Sequence, residues 1–176
     1  MGKKPVYSTL LYKHSDLTEQ ILSSFYAVYS ALGYGFLENV YARALMIELK
    51  RRGMEANNQF PINVYYLGQQ IGEYYADLIV NDLVILEIKA VKNLVDEHEA
   101  QLLNYLKVTP YEVGLLLNFG PKPETKRRSF DNARKEGGLL RTNLRQNRTL
   151  MNAENADSFY QRNQRSSASK IFHIRQ

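Results

Sequence analysis

The spacing of apolar residues changes near residue 61 of this 176-residue chain, and that change restricts the fold more than any other feature. Before it, apolar residues recur every three or four positions, as on one face of a helix. After it, they fill short runs that are separated by turn sequences, as in strands. Helices followed by strands indicate a sheet with helices packed on its faces.

The elements are predicted in the order α, α, β, β, β, α, β, ending at Gly120. Helices are predicted at Asp16–Leu32, Leu37–Arg52 and from Val95 to Pro110; strands are predicted at Ile62–Leu67, Ile71–Val80, Leu83–Val91 and Val113–Phe119. We therefore expect an α/β domain with a mixed central sheet. The predicted organisation is a leader at 1–15, one domain at 16–120 and a C-terminal extension at 121–176 that is partly disordered or helical.

Composition excludes several kinds of chemistry. The chain has no cysteine, so disulfides, thiolate metal sites and thiol catalysis are ruled out. No segment approaches the roughly 18 consecutive apolar residues that a membrane-spanning helix needs, and the first residues lack the apolar region of a signal peptide. We expect a cytoplasmic protein with no membrane partner.

Positive charge is concentrated at the end of the chain. Through Gly120 there are 10 Lys and Arg against 13 Asp and Glu, whereas 13 Lys and Arg face 5 Asp and Glu in residues 121–176. A basic extension suits a polyanion such as nucleic acid. Charge alone is equally compatible with a solvated tail that has no dedicated partner.

Acidic residues inside two predicted strands are the main candidates for function. Asp77 and Glu87 interrupt apolar runs, although acids are depleted in strands and are buried only when paired or bound to a metal. Glu87 and Lys89 are two positions apart and share one face of their strand. A hairpin turn at Asn81-Asp82 would bring Asp77 onto the neighbouring strand, close to both.

Two carboxylates and an ammonium group around one point suit a divalent cation with a phosphate beside it. Such oxygen ligands favour Mg²⁺ or Mn²⁺, which keep open positions for water and substrate. The alternative is a Glu87–Lys89 pair on a solvent-facing strand with Asp77 at an edge. Without further context this alternative is favoured, because exposed charge pairs on strands are common.

Five motifs in order supply that context. They are Gly35-Phe36-Leu37-Glu38-Asn39-Val40-Tyr41, Ala76-Asp77, Glu87-Ile88-Lys89, His98-Glu99-Ala100-Gln101-Leu102-Leu103-Asn104-Tyr105 and Leu117-Asn118-Phe119-Gly120. With these motifs, Leu17 to Gly120 resembles the PD-(D/E)XK nuclease superfamily, and within it the GxxExxY proteins. The resemblance implies a restriction-endonuclease-like core. Ala76 stands where the superfamily's name has proline, a residue that supplies no ligand.

The resemblance also implies roles for individual residues. Asp77, Glu87 and the backbone carbonyl of Ile88 would hold Mg²⁺ or Mn²⁺, and Glu38 would support the ion directly or through water. Lys89 would position or deprotonate the attacking water. Gln101 and Tyr105 look like the Q-x-x-x-Y element of RecB-like nucleases, which contacts the substrate backbone or orients the lysine. His98 has at most a minor role, as a helix cap or surface group.

The predicted function is metal-dependent hydrolysis of phosphodiester bonds, with DNA favoured over RNA as the partner and substrate. Two alternatives stay open: a non-catalytic protein on the same fold that binds nucleic acid or docks a partner, and an enzyme that acts on a modified nucleotide or small phosphoester. The oligomeric state stays open, a homodimer included.

Overall fold

The computed structural model describes residues 13–135 and 140–153, which form one sheet with helices on both faces. The helices are α1 (Ser15–Leu32), α2 (Glu38–Arg51), α3 (Asp96–Val108) and the described part of a fourth helix, α4, at residues 140–153. The strands are β1 (Ala56–Tyr66), β2 (Gln69–Val80), β3 (Val84–Lys89), β4 (Val113–Phe119) and β5 (Pro123–Ser129), followed by a 3₁₀ turn at Asn132–Lys135. Most of the predicted leader and residues 154–176 of the extension lie outside the described residues.

The sheet has the order β1-β2-β3-β4-β5 and is mixed, because β3 and β4 are parallel and the other neighbours are antiparallel. Apolar side chains of α1 and α2 pack on one face, and those of α3 pack on the other. The expected α/β fold with a mixed sheet between helices is therefore confirmed. None of the helices in the described ranges is long and apolar enough to cross a membrane.

The centre of the sheet is buried on both faces. Every residue of β4 is buried, which is why its sequence is nearly all apolar. Gly114 allows α3 to approach this strand closely, since a Cβ at this position would lie 2.6 Å from a methyl carbon of Leu102. The apolar side chains of β4 and the absence of a side chain at Gly114 together position α3 against the sheet.

The sheet continues beyond Gly120, where the predicted core ends. β5 pairs with β4 over its whole length, from Val113↔Ser129 to Phe119↔Pro123. Its sequence, Pro-Glu-Thr-Lys-Arg-Arg-Ser, has no apolar alternation, because an edge strand that is only half-buried does not need it. The pattern of apolar residues therefore missed a fifth strand that hydrogen bonding supplies.

β1 is also longer than predicted, beginning at Ala56 rather than Ile62. Its edge position explains why Pro61 is tolerated within the strand, since a residue without an N–H cannot serve a central ladder. Pairing with β2 skips Gln59, whose φ of 53° is left-handed. This irregularity lies opposite Asp77 in the register of the two strands.

Helix α4 covers the free edge of β1 through two asparagine side chains. Asn143 accepts a hydrogen bond from the Tyr65 N–H at 2.7 Å and donates to the Tyr65 carbonyl at 3.0 Å. Asn147 does the same at Asn63, at 3.0 and 2.8 Å, and also donates to the Val108 carbonyl at 2.8 Å. The two amides satisfy edge groups that would otherwise be open to pairing with another chain.

We expect Asn147→Ala to lower the free energy of unfolding by about 1–3 kcal/mol, because it leaves buried backbone groups of Asn63 without a partner. Urea unfolding followed by circular dichroism measures the change. The matched control is Asn152→Ala, which removes an exposed amide from the same helix and should leave the midpoint nearly unchanged. Equal midpoints for the two variants would contradict the proposed edge contact.

Candidate active site

The candidate site lies where β2 and β3 separate. These strands pair only at Leu78↔Leu86, Ile79↔Ile85 and Val80↔Val84. In the same register Asp77 would oppose Glu87, but the ladder stops one residue earlier while β3 continues beside β4 to Lys89. The predicted hairpin therefore brings both acids to one place, at a fork in the sheet.

The carboxylate of Asp77 takes the place of a backbone acceptor at this fork. Its Oδ2 accepts a hydrogen bond from the Ile88 N–H at 2.7 Å. Burial raises the pKa of Asp77, the Ile88 N–H and the Lys89 charge act in the opposite direction, and the result is a pKa above the ordinary value. Asp77 thus links the two strands, and its ionised form is less favoured than that of an aspartate in water.

Glu87 is almost fully buried, with 2% of its surface exposed. Its Oε1 accepts a hydrogen bond from Lys89 Nζ at 2.6 Å, whereas its buried Oε2 has no hydrogen-bond partner in the described part of the chain. Burial and the neighbouring Asp77 charge raise the pKa of Glu87 to about 7. The alternative of a solvent-facing Glu87–Lys89 pair is therefore wrong.

Lys89 is the cation of this cluster. Burial acts to lower its pKa, but the hydrogen bond from Nζ to Glu87 and the charges of Glu87, Glu38 and Asp77 raise it above the ordinary value. The ammonium form is therefore stabilised. One cation faces three carboxylates, which leaves the cluster negative when all of its acids are ionised.

Glu38 reaches the cluster from the first turn of α2. Its Oε1 accepts a hydrogen bond from the Ala90 N–H at 3.3 Å, just beyond β3. The preceding loop is fixed by Tyr41, whose hydroxyl donates to the Gly33 carbonyl at 2.9 Å and accepts from the Phe36 N–H at 3.2 Å. Gly35 adopts a φ of 110° in this loop, which a side chain would disfavour. The Gly35, Glu38 and Tyr41 spacing therefore has a structural basis.

Two residues that received no role from the sequence hold the segment after β3. The buried Asn118 accepts a hydrogen bond from the Val91 N–H and donates to the Val91 carbonyl, each at 3.0 Å. A Cβ at Gly120 would overlap that carbonyl oxygen, so only glycine fits. A polar residue within the apolar β4 run was the available signal, and its motif was recognised without an assigned function.

Gln101 and Tyr105 lie together on α3, as their spacing predicts. Gln101 Nε2 donates to the Tyr105 hydroxyl at 2.6 Å. Burial, with smaller contributions from the charges of Glu87 and Asp77, raises the pKa of Tyr105 to about 12. The phenol therefore stays protonated near the two acids. His98 caps the same helix, its Nδ1 accepting from the Val95 N–H at 3.3 Å.

The donor set fits a divalent cation that keeps part of its water shell. No group of three or more His, Cys, Asp or Glu in the described ranges has the arrangement of a complete metal site. Mg²⁺, however, is commonly held by only one or two carboxylates together with water and substrate oxygens. The unpartnered Glu87 Oε2 is a buried oxygen that such a cation would satisfy.

The fold and the site together are a mixed α/β sheet with two acids and a lysine where two of its strands separate. The sequence model of the PD-(D/E)XK nuclease superfamily matches residues 15–129. The chain therefore belongs to the PD-(D/E)XK nuclease superfamily. The match ends at the last residue of β5, so the fifth strand lies within the family core.

Two further comparisons add nothing to this family assignment. The crystal structure of SSO0001 is 19% identical, with a TM-score of 0.40 over 76% of this chain. This chain spans 66% of that protein, just under two thirds of its length. No curated protein matches the sequence significantly.

The burial of Glu87 predicts a pH dependence of stability in the metal-free protein. Because its pKa rises from 4.5 to about 7 on folding, the folded state binds this proton more tightly than the unfolded chain. The stabilisation is complete below pH 4.5 and is lost as pH rises through about 7. At about 1.4 kcal/mol for each pKa unit, the loss is at most about 3.5 kcal/mol.

We expect Glu87→Gln to remove this loss, so the variant should gain stability relative to the wild type between pH 5 and pH 8. Urea unfolding with a chelator present measures it at both pH values. Glu19→Gln, a change at an exposed acid of α1, is the control and should follow the wild type. Parallel behaviour of the wild type and Glu87→Gln would show that Glu87 titrates normally.

Proposed function

We propose that this protein is a metal-dependent nuclease that hydrolyses phosphodiester bonds in DNA. The observation that carries the proposal is the buried Glu87, one oxygen of which has no partner among the described residues, beside Asp77 and Lys89 in a chain of the PD-(D/E)XK superfamily. Membership of the GxxExxY group, DNA rather than RNA as substrate and a cytoplasmic location are parts of the same proposal.

Asp77, Glu87 and the carbonyl of Ile88 are the proposed ligands of Mg²⁺ or Mn²⁺. When bound, the cation lowers the pKa of water and offsets charge that develops on the phosphoryl oxygens. Glu38 completes the acidic surface from α2, directly or through a water molecule. Asp77 is held for this role by its hydrogen bond to the Ile88 N–H, which fixes the side chain at the fork.

Lys89 stabilises charge and positions the nucleophile. Its raised pKa favours the ammonium form, so we assign it to electrostatic stabilisation of the phosphoryl oxygens rather than to removal of a proton from water. Its hydrogen bond to Glu87 keeps Nζ beside the proposed ligands. Of the two roles open from the sequence, positioning is therefore favoured over deprotonation.

Tyr105 and Gln101 orient the substrate. A phenol with a pKa of about 12 keeps its proton at neutral pH and can donate it in a hydrogen bond to a phosphate oxygen. Gln101 donates to the phenol oxygen, which leaves the phenol proton available for that contact. The pair thus supports binding of the nucleic-acid backbone next to the acids.

Part of the basic extension supports a nucleic-acid substrate. Arg141, Arg145 and Arg148 are exposed on α4, and their spacing places them along one face of the helix. Other basic residues of the extension serve the fold: Arg128 pairs with Glu99, and the buried Lys135 donates to the Thr109 carbonyl at 2.7 Å. Phosphate contacts are therefore assigned to α4 rather than to the whole extension.

We expect Asp77→Asn, Glu87→Gln and Lys89→Ala each to reduce metal-dependent DNA cleavage at least about 100-fold, because each removes charge from a site that acts through charge. Cleavage of circular and linear, single- and double-stranded DNA with Mg²⁺ or Mn²⁺ measures the loss. Circular dichroism tests whether each variant is folded.

Asp82→Asn is the matched control for Asp77→Asn. Asp82 is exposed in the β2–β3 turn with a φ of 53°, a conformation that asparagine accepts readily. It should retain full activity. Wild-type rates in any folded variant of the three site residues would refute the assignment of that residue.

A further inference from the structure

An open groove of about 530 Å³ lies between α3 and the β1–β2 hairpin. Gln101 and Tyr105 line it, whereas Asp77, Glu87 and Lys89 do not, so the groove lies beside the acids of the candidate active site. Its size falls within the range of about 300–1,000 Å³ that is typical of ligand sites. Apart from Gln101 and Tyr105, the residues that line this groove have no part in the proposed cleavage.

One wall of the groove is the ring of Tyr74 from β2. Half of this residue is exposed, at 50%, and its ring centroid lies 6.0 Å from that of Tyr105 with the planes tilted by 50°. Gly72 provides the space for this position, since a Cβ there would lie 3.2 Å from a carbon of the Tyr74 ring. The ring therefore lies along its own strand and is not stacked face to face with Tyr105.

The remaining lining combines apolar surface with amide groups, one cation and one acid, Glu97. Val64 and Leu140 supply apolar surface, and Gln101 and Asn104 supply amide groups. Lys107 lies at the groove with its Nζ donating to the Asn104 side-chain oxygen at 3.2 Å. Aromatic and apolar walls with amide groups suit the face and edge of a nucleobase, and an ammonium group suits its phosphate.

We propose that this groove binds an unpaired nucleotide of single-stranded DNA, with its base stacked on Tyr74. The base must be unpaired, because the faces of bases inside a duplex are covered by their neighbours. The preferred substrate then has a single-stranded segment beside the cleaved phosphate. This inference rests on the proposed nuclease function and assigns it a substrate class.

The test measures binding of a labelled single-stranded oligonucleotide and a blunt duplex by fluorescence anisotropy. The full chain is used with a chelator, so that no cleavage occurs. We expect Tyr74→Ala to weaken single-strand binding about 5- to 150-fold, the range for loss of one base–aromatic stack. Duplex binding should change little, and Tyr74→Phe should retain affinity because it keeps the ring.

Tyr75→Ala is the matched control. Tyr75 is equally exposed, at 53%, but adjacent residues of a strand point to opposite faces, so its ring lies away from the groove. Tyr74→Leu, which keeps apolar bulk without a ring, replaces Tyr74→Ala if the alanine variant does not fold. The inference is overturned if Tyr74→Ala or its replacement Tyr74→Leu binds like Tyr75→Ala, if single and double strands lose affinity equally, or if the unaltered chain does not bind single strands.

The result is separable from the nuclease proposal. If cleavage depends on Asp77 but single-strand affinity is unchanged by Tyr74→Ala, only the proposal of a base-stacking groove is overturned. Binding that depends on Tyr74, without cleavage of any DNA under Mg²⁺ or Mn²⁺, would retain the groove and overturn the proposed catalytic activity.

Discussion

The burial of Glu87 at the fork between β2 and β3 is the constraint on which the site depends. A buried carboxylate is costly unless it is paired, and Lys89 satisfies only one of its two oxygens. Asp77 adds a second acid and ends the β2–β3 ladder by binding the Ile88 N–H through its side chain. When its acids are ionised, the cluster therefore carries an excess of negative charge, which a divalent cation would offset.

The surrounding framework holds this unfavourable arrangement in place. Tyr41 ties down the loop before α2 and stacks on Phe119, with ring centroids 4.2 Å apart and planes 10° from parallel. Asn118, the residue before Phe119, holds Val91 just after β3. The segments on both sides of the acids are thus anchored to the end of β4. Such support is what keeps charged groups of an active site in one geometry.

The sequence predicted the elements whose apolar period is strong, and it missed those that depend on hydrogen bonds. Helices α1 to α3 and strands β2 to β4 have buried faces that impose a regular pattern. β5 is the polar edge strand that was missed. A partly helical extension was expected, but not the docking of α4 through Asn143 and Asn147, whose partners are backbone groups about 80 positions away. At the site, Asp77, Glu87 and Lys89 lie together as predicted, because the positions that face each other in a hairpin follow from the position of its turn. The groove beside Tyr74 depends on side-chain placement across the sheet and α3, which no local pattern encodes.

The proposed divalent-cation site at this fork can be tested by Mn²⁺ binding, which requires no substrate. The melting temperatures of the wild type and Asp77→Asn are measured at pH 8 with and without Mn²⁺. A ligand that binds only the folded state stabilises it by about 2.7 kcal/mol at 100 times its Kd, which corresponds to a rise in melting temperature of roughly 5–11 °C for a chain of this length. We expect the proposed cation site to give such a rise in the wild type and little or none in Asp77→Asn. No rise in the wild type, or an equal rise in both proteins, would contradict it.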